Sequence, residues 1–120
     1  MRAEPFAVAC ILLAASAAFA AEPMAMTPSD IQATFFNGRP FTASTSSGTQ
    51  FKMTFTPDGK MIREPLAQSG YKNAGTWKLN AKGFCTIWKQ AETNCFIVMP
   101  NGENKWSVQK GAHVIATWTK

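Results

Sequence analysis

Apolar and polar side chains alternate one for one over Phe51-Lys52-Met53-Thr54-Phe55, and a period of two returns at Gly75-Thr76-Trp77-Lys78-Leu79 and at Val114, Ala116 and Trp118. Alternation puts the two sets of side chains on opposite faces of a pleated strand, so each block predicts a half-buried strand. Turn-forming residues punctuate the pattern: Pro57-Asp58-Gly59, Asn80-Ala81-Lys82-Gly83, Gln90 to Thr93 and Asn101-Gly102-Glu103-Asn104. Between them lie further short strands through Met61-Ile62-Arg63, through Cys85, through Cys95 and through Trp106 and Val108. The spacing predicts an antiparallel meander of roughly seven or eight strands. Closing it into a small barrel, or curling it strongly, hides strand edges that would otherwise pair with other chains. The expected fold class is therefore mainly β: a small antiparallel β-barrel or strongly curled meander.

One segment breaks the period of two. Thr27-Pro28-Ser29-Asp30 has the order of a helix start, with Thr27 as N-cap, Pro28 pre-set for the first turn and Asp30 in the acidic capping-box position. Ile31 and Phe35 share one helical face, and Asn37-Gly38 stops the segment. A single short helix over 28–36 is expected, its apolar side closing one end of the sheet. Two stretches lack a clear period, the Ser/Thr-rich link from Thr42 to Thr49 and the segment from Pro65 to Asn73. Both read as loops, candidate rims of a binding mouth.

Ahead of the helix, Arg2 precedes an uncharged run from Pro5 to Phe19 that ends in Ala18-Phe19-Ala20. A basic start, a short apolar core and small residues at minus three and minus one form a secretory signal peptide cut after Ala20. The run is too short for a membrane span. Cys10 does not make it a lipoprotein signal, because Ala7-Val8-Ala9 lacks the expected leucine and the apolar core continues past it. Residues 1–20 are thus read as signal peptide, 21–26 as a flexible arm and 27–120 as one β domain, periplasmic or secreted, with no stable membrane span in the mature chain.

Export changes the meaning of the cysteines. Cleavage removes Cys10 and leaves Cys85 and Cys95, an even pair in an oxidising compartment, where a disulfide is the default. A metal clip needs further ligands at matching spacing, and His113 is the sole histidine. A redox motif sets its cysteines only a few residues apart at a helix start. Pairing residues whose numbers sum to 180 puts Cys85 opposite Cys95, Phe84 opposite Phe96 and Ile87 opposite Thr93, so hairpin and bridge agree.

Composition narrows the function classes. The precursor is 46% apolar and 12% aromatic, enough for a packed core, and its formal charge of +5 survives cleavage because Arg2 and Glu4 leave together. A triad enzyme needs a nucleophile, an imidazole base and an orienting acid. Here the cysteines are taken up by each other, Ser44, Ser46 and Ser47 fall in a loop, and His113 follows Lys110-Gly111-Ala112 as a surface residue at a strand start. Asp58 suits its turn, and Glu64, Glu92 and Glu103 are scattered, so no catalytic pair is assigned. Met24 and Met26, with His113, are soft enough for Cu(I), but an unstructured arm accounts for both methionines, and no metal or cofactor is expected. Nucleic acid is the usual partner of a basic, aromatic-rich β protein, and export argues against it.

Trp77, Trp88, Trp106 and Trp118 are read first as core filler, since few other residues are large enough to pack a barrel of this size. The alternative is a ligand cavity. Trp77, Trp88 and Trp106 are then candidate walls, and Lys78, Lys89 and Lys105, with Lys110, are candidate contacts for an anionic envelope ligand or an acidic protein surface.

In chain order, "ATFFNGRPF", "MTFTPDGKM", "GTWKL", "GFCTIWK" and "CFIVMPNGENKWSV" resemble the successive blocks of domain of unknown function 995. The resemblance implies a small secreted bacterial β domain and carries no assigned catalytic residues; the final "KGAHVIATWTK" departs from the family pattern. The function expected is a non-catalytic periplasmic binding or interaction module for a small apolar or anionic ligand. The alternative is a proteinaceous inhibitor of a hydrolase, acting through the 65–73 loop. A ligand-binding module calls for a connected pocket beside Trp77 or Trp106, an inhibitor for a filled barrel with one rigid loop, and an enzyme for polar groups converging near His113.

Overall fold

A computed structural model describes residues 24–67 and 72–120. The signal peptide expected over 1–20, residues 21–23 of the arm and residues 68–71 of the 65–73 loop lie outside the described residues. The order is α1 (Pro28–Phe35), β1 (Phe41–Thr45), β2 (Gln50–Phe55), β3 (Lys60–Pro65), β4 (Asn73–Leu79), β5 (Phe84–Trp88), β6 (Thr93–Pro100), β7 (Lys105–Lys110) and β8 (His113–Thr119). Each strand pairs with the next, and β8 returns to β1 through Thr42 opposite Thr119 and Thr45 opposite Ala116. The result is a closed eight-stranded antiparallel barrel. Closure satisfies both edges of every strand, which an open meander of this length would leave unpaired.

The helix forms where its caps allow. Thr27 has extended backbone and its hydroxyl accepts the Asp30 amide at 3.2 Å, satisfying one of the four amides a helix start leaves unpaired. At the other end the Asn37 side-chain amide donates to the Ala33 carbonyl at 3.0 Å. Gly38, at φ +84°, then turns the chain so that its amide reaches the Phe55 carbonyl at 2.8 Å. A residue with a Cβ resists that left-handed conformation.

What α1 buries decides the barrel's form. Ile31, Phe35 and Phe36 are fully buried. Phe36 stacks on Phe55 with ring centroids 4.3 Å apart and a 9° interplanar angle, and lies 4.6 Å from Trp77 and 5.2 Å from Phe84. Phe35 meets Phe41, Trp106 and Trp118 edge-on at 5.0, 4.9 and 4.9 Å. Offset and edge-to-face contacts of this kind add to the burial of the rings themselves. One end, where connections 56–59, 80–83 and 101–104 lie, is thus stoppered by aromatic rings. At the opposite, open end lie connections 46–49, 89–92 and 111–112, together with the end of β3 and the start of β4.

The cysteine hairpin has the expected register: Cys85 opposite Cys95, Phe84 opposite Phe96, Ile87 opposite Thr93. The two sulfurs are bonded at 2.02 Å. The turn before β5 is held by the Asn80 side chain, whose Oδ1 accepts the amides of Lys82 and Gly83 and whose Nδ2 donates to the Cys85 sulfur at 3.3 Å. A Cβ on Gly83 would lie 2.1 Å from the Phe96 carbonyl oxygen, so only glycine lets this turn press against β6.

Two regions differ from the reading above. Half of the 42–49 link is strand β1, because Phe41 and Ala43 face the core while the intervening Thr42 and Ser44 take the outer positions, where hydroxyls are compatible with extended backbone. The arm is pinned at its end: the Met26 amide donates to the Val98 carbonyl at 2.8 Å and its side chain packs on the core, whereas Met24 is exposed. Among the described residues no helix is long and apolar enough to cross a membrane.

Candidate functional site

The inward positions are not filled evenly. At the stoppered end they carry Phe41, Phe55, Trp77, Phe84 and Trp118, with two helix rings among them. Toward the open end they carry Ala43, Thr45, Thr86 and Ala116, which leaves a cavity of about 130 Å³. Its floor is Phe55, Phe84 and Trp118, the rings that stand against Phe36 from the other side. Its walls nearer the mouth are Phe51, Trp88 and Ile115. Among the lining residues the only polar side chains are Thr45, Thr86 and Arg63.

Ile115 reaches this lining through an irregularity. Val108 pairs with Ala116 and Gln109 with Val114, so the register between β7 and β8 shifts by one residue and Ile115 has no partner. A bulge of this type redirects one side chain against the strict alternation of its strand.

Arg63 is the charged group of the cavity. It follows the inward Met61 by two residues on β3, and parity turns it inward as well. Its guanidinium carbon lies 4.7 Å from the centroid of Phe51 and 4.6 Å from that of Trp88. Cation–π attraction to two rings offsets part of the cost of removing the charge from water. Burial lowers its pKa from the ordinary guanidinium value, and the group remains protonated because that value is so high. Among the described residues its buried Nε has no hydrogen-bond partner.

Trp88 can stand there because of Gly75. The two residues are opposite each other on β5 and β4. A Cβ on Gly75 would come within 2.6 Å of the Met61 methyl and 3.0 Å of the Trp88 ring. Lacking one, β4 lets the indole lie toward Arg63 on the next strand.

Outside the mouth, Arg63 and Trp88 also border a second depression of about 410 Å³, shared with Lys72, Asn73, Ala74 and Lys89. Glu64, the acid next to Arg63 in the chain, pairs instead with Lys72 at 3.7 Å.

The sequence-based candidates are dispersed over this framework. Trp88 and Lys89 lie at the mouth. Trp77 is in the stoppered core, where its indole NH donates to the Thr56 carbonyl at 2.9 Å, and Trp106 packs on Phe35, so the pocket expected beside either of them lies instead at the other end of the barrel. Those two indoles meet the helix rings, a long-range pairing that strand periodicity does not register. Lys78 stands exposed on β4 opposite Cys85, and Lys105 is exposed at the start of β7, toward the stoppered end. Lys110 donates to the Asn94 side-chain oxygen. The lysines therefore do not form one patch. His113 begins β8 at the open end, exposed and outside the cavity lining, while Met24 and Met26 lie before α1, so the structure does not gather them into one site. Phe51, Ile115 and Arg63 were not among the candidates. The parity of Arg63 with Met61 was the available signal, since it sets a charge on an inward position.

No family model, no curated protein and no solved structure matches the chain.

Proposed function

We propose that the chain is a non-catalytic module of the bacterial envelope that takes a small ligand into the open end of its barrel. The observation that carries this reading is the cavity of about 130 Å³, apolar in its lining, closed below by the aromatic stopper and open at the rim. Space of that size, walled by side chains of this kind, accommodates about one aromatic ring or a short branched chain. Water gains little there, having two hydroxyls and one guanidinium to bond. Export, on which the periplasmic setting depends, rests on the signal-peptide pattern of residues 1–20 and agrees with a bonded Cys85–Cys95 pair. The blocks resembling domain of unknown function 995 are consistent with the same setting. Hydrolase inhibition through the 65–73 loop calls for a filled barrel, and the cavity at the open end favours the binding reading over it.

Native mass spectrometry of the protein purified from periplasm tests the setting and the binding together: a mass beginning at Ala21, two oxidised thiols and a retained small molecule are expected. Toluene titrated into the purified protein should shift the amide NMR signals of Phe51, Thr86, Trp88 and Ile115 in wild type. In Ala116→Leu, which fills the space, it should not. Shifts spread over the outer surface, or equal in the filled variant, would refute cavity binding.

A further inference from the structure

We propose that Arg63 makes the open end a site for small amphipathic monoanions, a carboxylate on an apolar body about the size of one aromatic ring. The inference rests on the binding reading above and adds the charge and polarity of the ligand. Three observations carry it.

The first is an imbalance. Arg63 is a half-buried cation at an apolar mouth, and among the described residues its buried Nε has no hydrogen-bond partner. A buried donor without a partner and a partly desolvated charge without a counter-charge are both unfavourable, and proteins seldom keep either without a use. Among the described residues no carboxylate forms an ion pair with it, the neighbouring Glu64 being engaged by Lys72.

The second is geometric. Phe51 and Trp88 hold the guanidinium through attraction to its charge, while hydrogen bonds leave such a group in its plane, along its N–H bonds. Stacking therefore fixes the plane of the group and leaves its terminal nitrogens, at the border of both cavities, to donate within that plane. A carboxylate accepts from such donors in a charge-assisted bond stronger than a neutral one.

The third is location. Arg63 borders both the apolar cavity of about 130 Å³ and the outer depression that Lys72 and Lys89 share. A ligand with its body between Phe51 and the aromatic floor would bring its head to Arg63, with two further cations on the solvent side. The cavity volume excludes a long lipid chain, and its apolar lining gives no purchase to an anion without a body.

Benzoate and the neutral benzyl alcohol, which share a ring and differ in head group, separate the terms. Isothermal titration of the oxidised, full mature chain should show benzoate binding at least tenfold more tightly than benzyl alcohol, with the advantage shrinking as salt rises. Arg63→Met should lose that advantage while keeping its affinity for benzyl alcohol, and Arg63→Lys should retain only part of it. Thermal melts establish that each variant folds, and Arg63→Lys carries the comparison if Arg63→Met does not fold. Equal affinities for the two probes in wild type, or an undiminished benzoate preference in the variant used, would overturn the role of Arg63 and leave the cavity reading intact. Inorganic phosphate binding as tightly as benzoate would overturn the amphipathic part. Binding of neither ring compound would sink the binding module itself, and this inference with it.

Discussion

Replacing Phe36 by alanine removes the ring on which the stoppered end converges. The side chain is fully buried, stacked on Phe55 and in contact with Trp77, Phe84 and Trp118. Loss of its transfer free energy alone costs about 2–3 kcal/mol, and buried Phe→Ala changes as a class cost about 3–5 kcal/mol. For a loss near 4 kcal/mol, the remaining 1–2 kcal/mol corresponds, at about 24 cal/mol per Å³, to a residual void of roughly 40–80 Å³. Phe55, Phe84 and Trp118 separate that void from the open cavity, so their partial collapse would join the two spaces. Urea denaturation should show a midpoint lowered by about 3–5 kcal/mol divided by an unchanged m-value. The melting temperature should fall by at least about 12 °C, since each 1 kcal/mol shifts a domain of this size by about 4–8 °C. Toluene at a hundred times its dissociation constant should return about 2.7 kcal/mol, through preferential binding to the folded state. A loss under about 1.5 kcal/mol, below the cost of burying one large side chain, would mean that α1 lies against the barrel without plugging it.

Two further outcomes are expected. Cys85→Ala/Cys95→Ala, or reduction, releases a loop whose ends are 10 residues apart and should lower stability by about 2–3 kcal/mol through the regained freedom of the unfolded chain; denaturation curves that coincide with and without reductant would count against a staple. The Asp58 carboxyl is held below its usual pKa chiefly by the Thr56 hydroxyl, with help from the Lys60 amide and charge. A carboxyl with a lowered folded pKa contributes stability above its unfolded value of about 3.9, and loses it as pH falls through the lower folded value. Asp58→Asn should therefore flatten the acid limb of the melting temperature below about pH 4, and superimposable limbs for the two proteins would refute the assignment.

Legibility in the sequence followed the range of the interaction involved. The cysteine register could be read because a hairpin is local and its pairing is arithmetic, and α1 because its caps lie within four residues of what they cap. The 42–49 segment misled because Thr and Ser suit a loop and an outer strand face equally well, and the pairing of β1 with both β2 and β8 decides between them. Ile115 sits in a bulge that alternation cannot foresee. The cavity's place was hidden for a further reason: Trp77 and Trp106 are the large residues one expects to wall a pocket, but whether they wall it or fill it depends on Phe35 and Phe36, which arrive from a different element.

The hollow end follows from the solid one. Eight strands with the same inward period enclose a similar cross-section along their length, so the content of that section depends on side-chain volume and on what enters from outside. At the helix side, large strand residues and two helix rings occupy it; at the other side, Ala43, Thr45, Thr86 and Ala116 cannot. A fully apolar mouth of that kind would expose Phe51 and Trp88 to water, and an exposed apolar patch invites association. Arg63 between the two rings covers them with a charged group while Gly75 keeps β4 out of the way of the indole. Replacing Arg63 by a neutral residue of similar length would keep the walls and lose the polarity, and replacing Gly75 by a larger residue would move the wall itself. Charge selection and cavity shape thus depend on separate residues, so substitutions at the two positions should be separable in their effects on ligand preference and on ligand size.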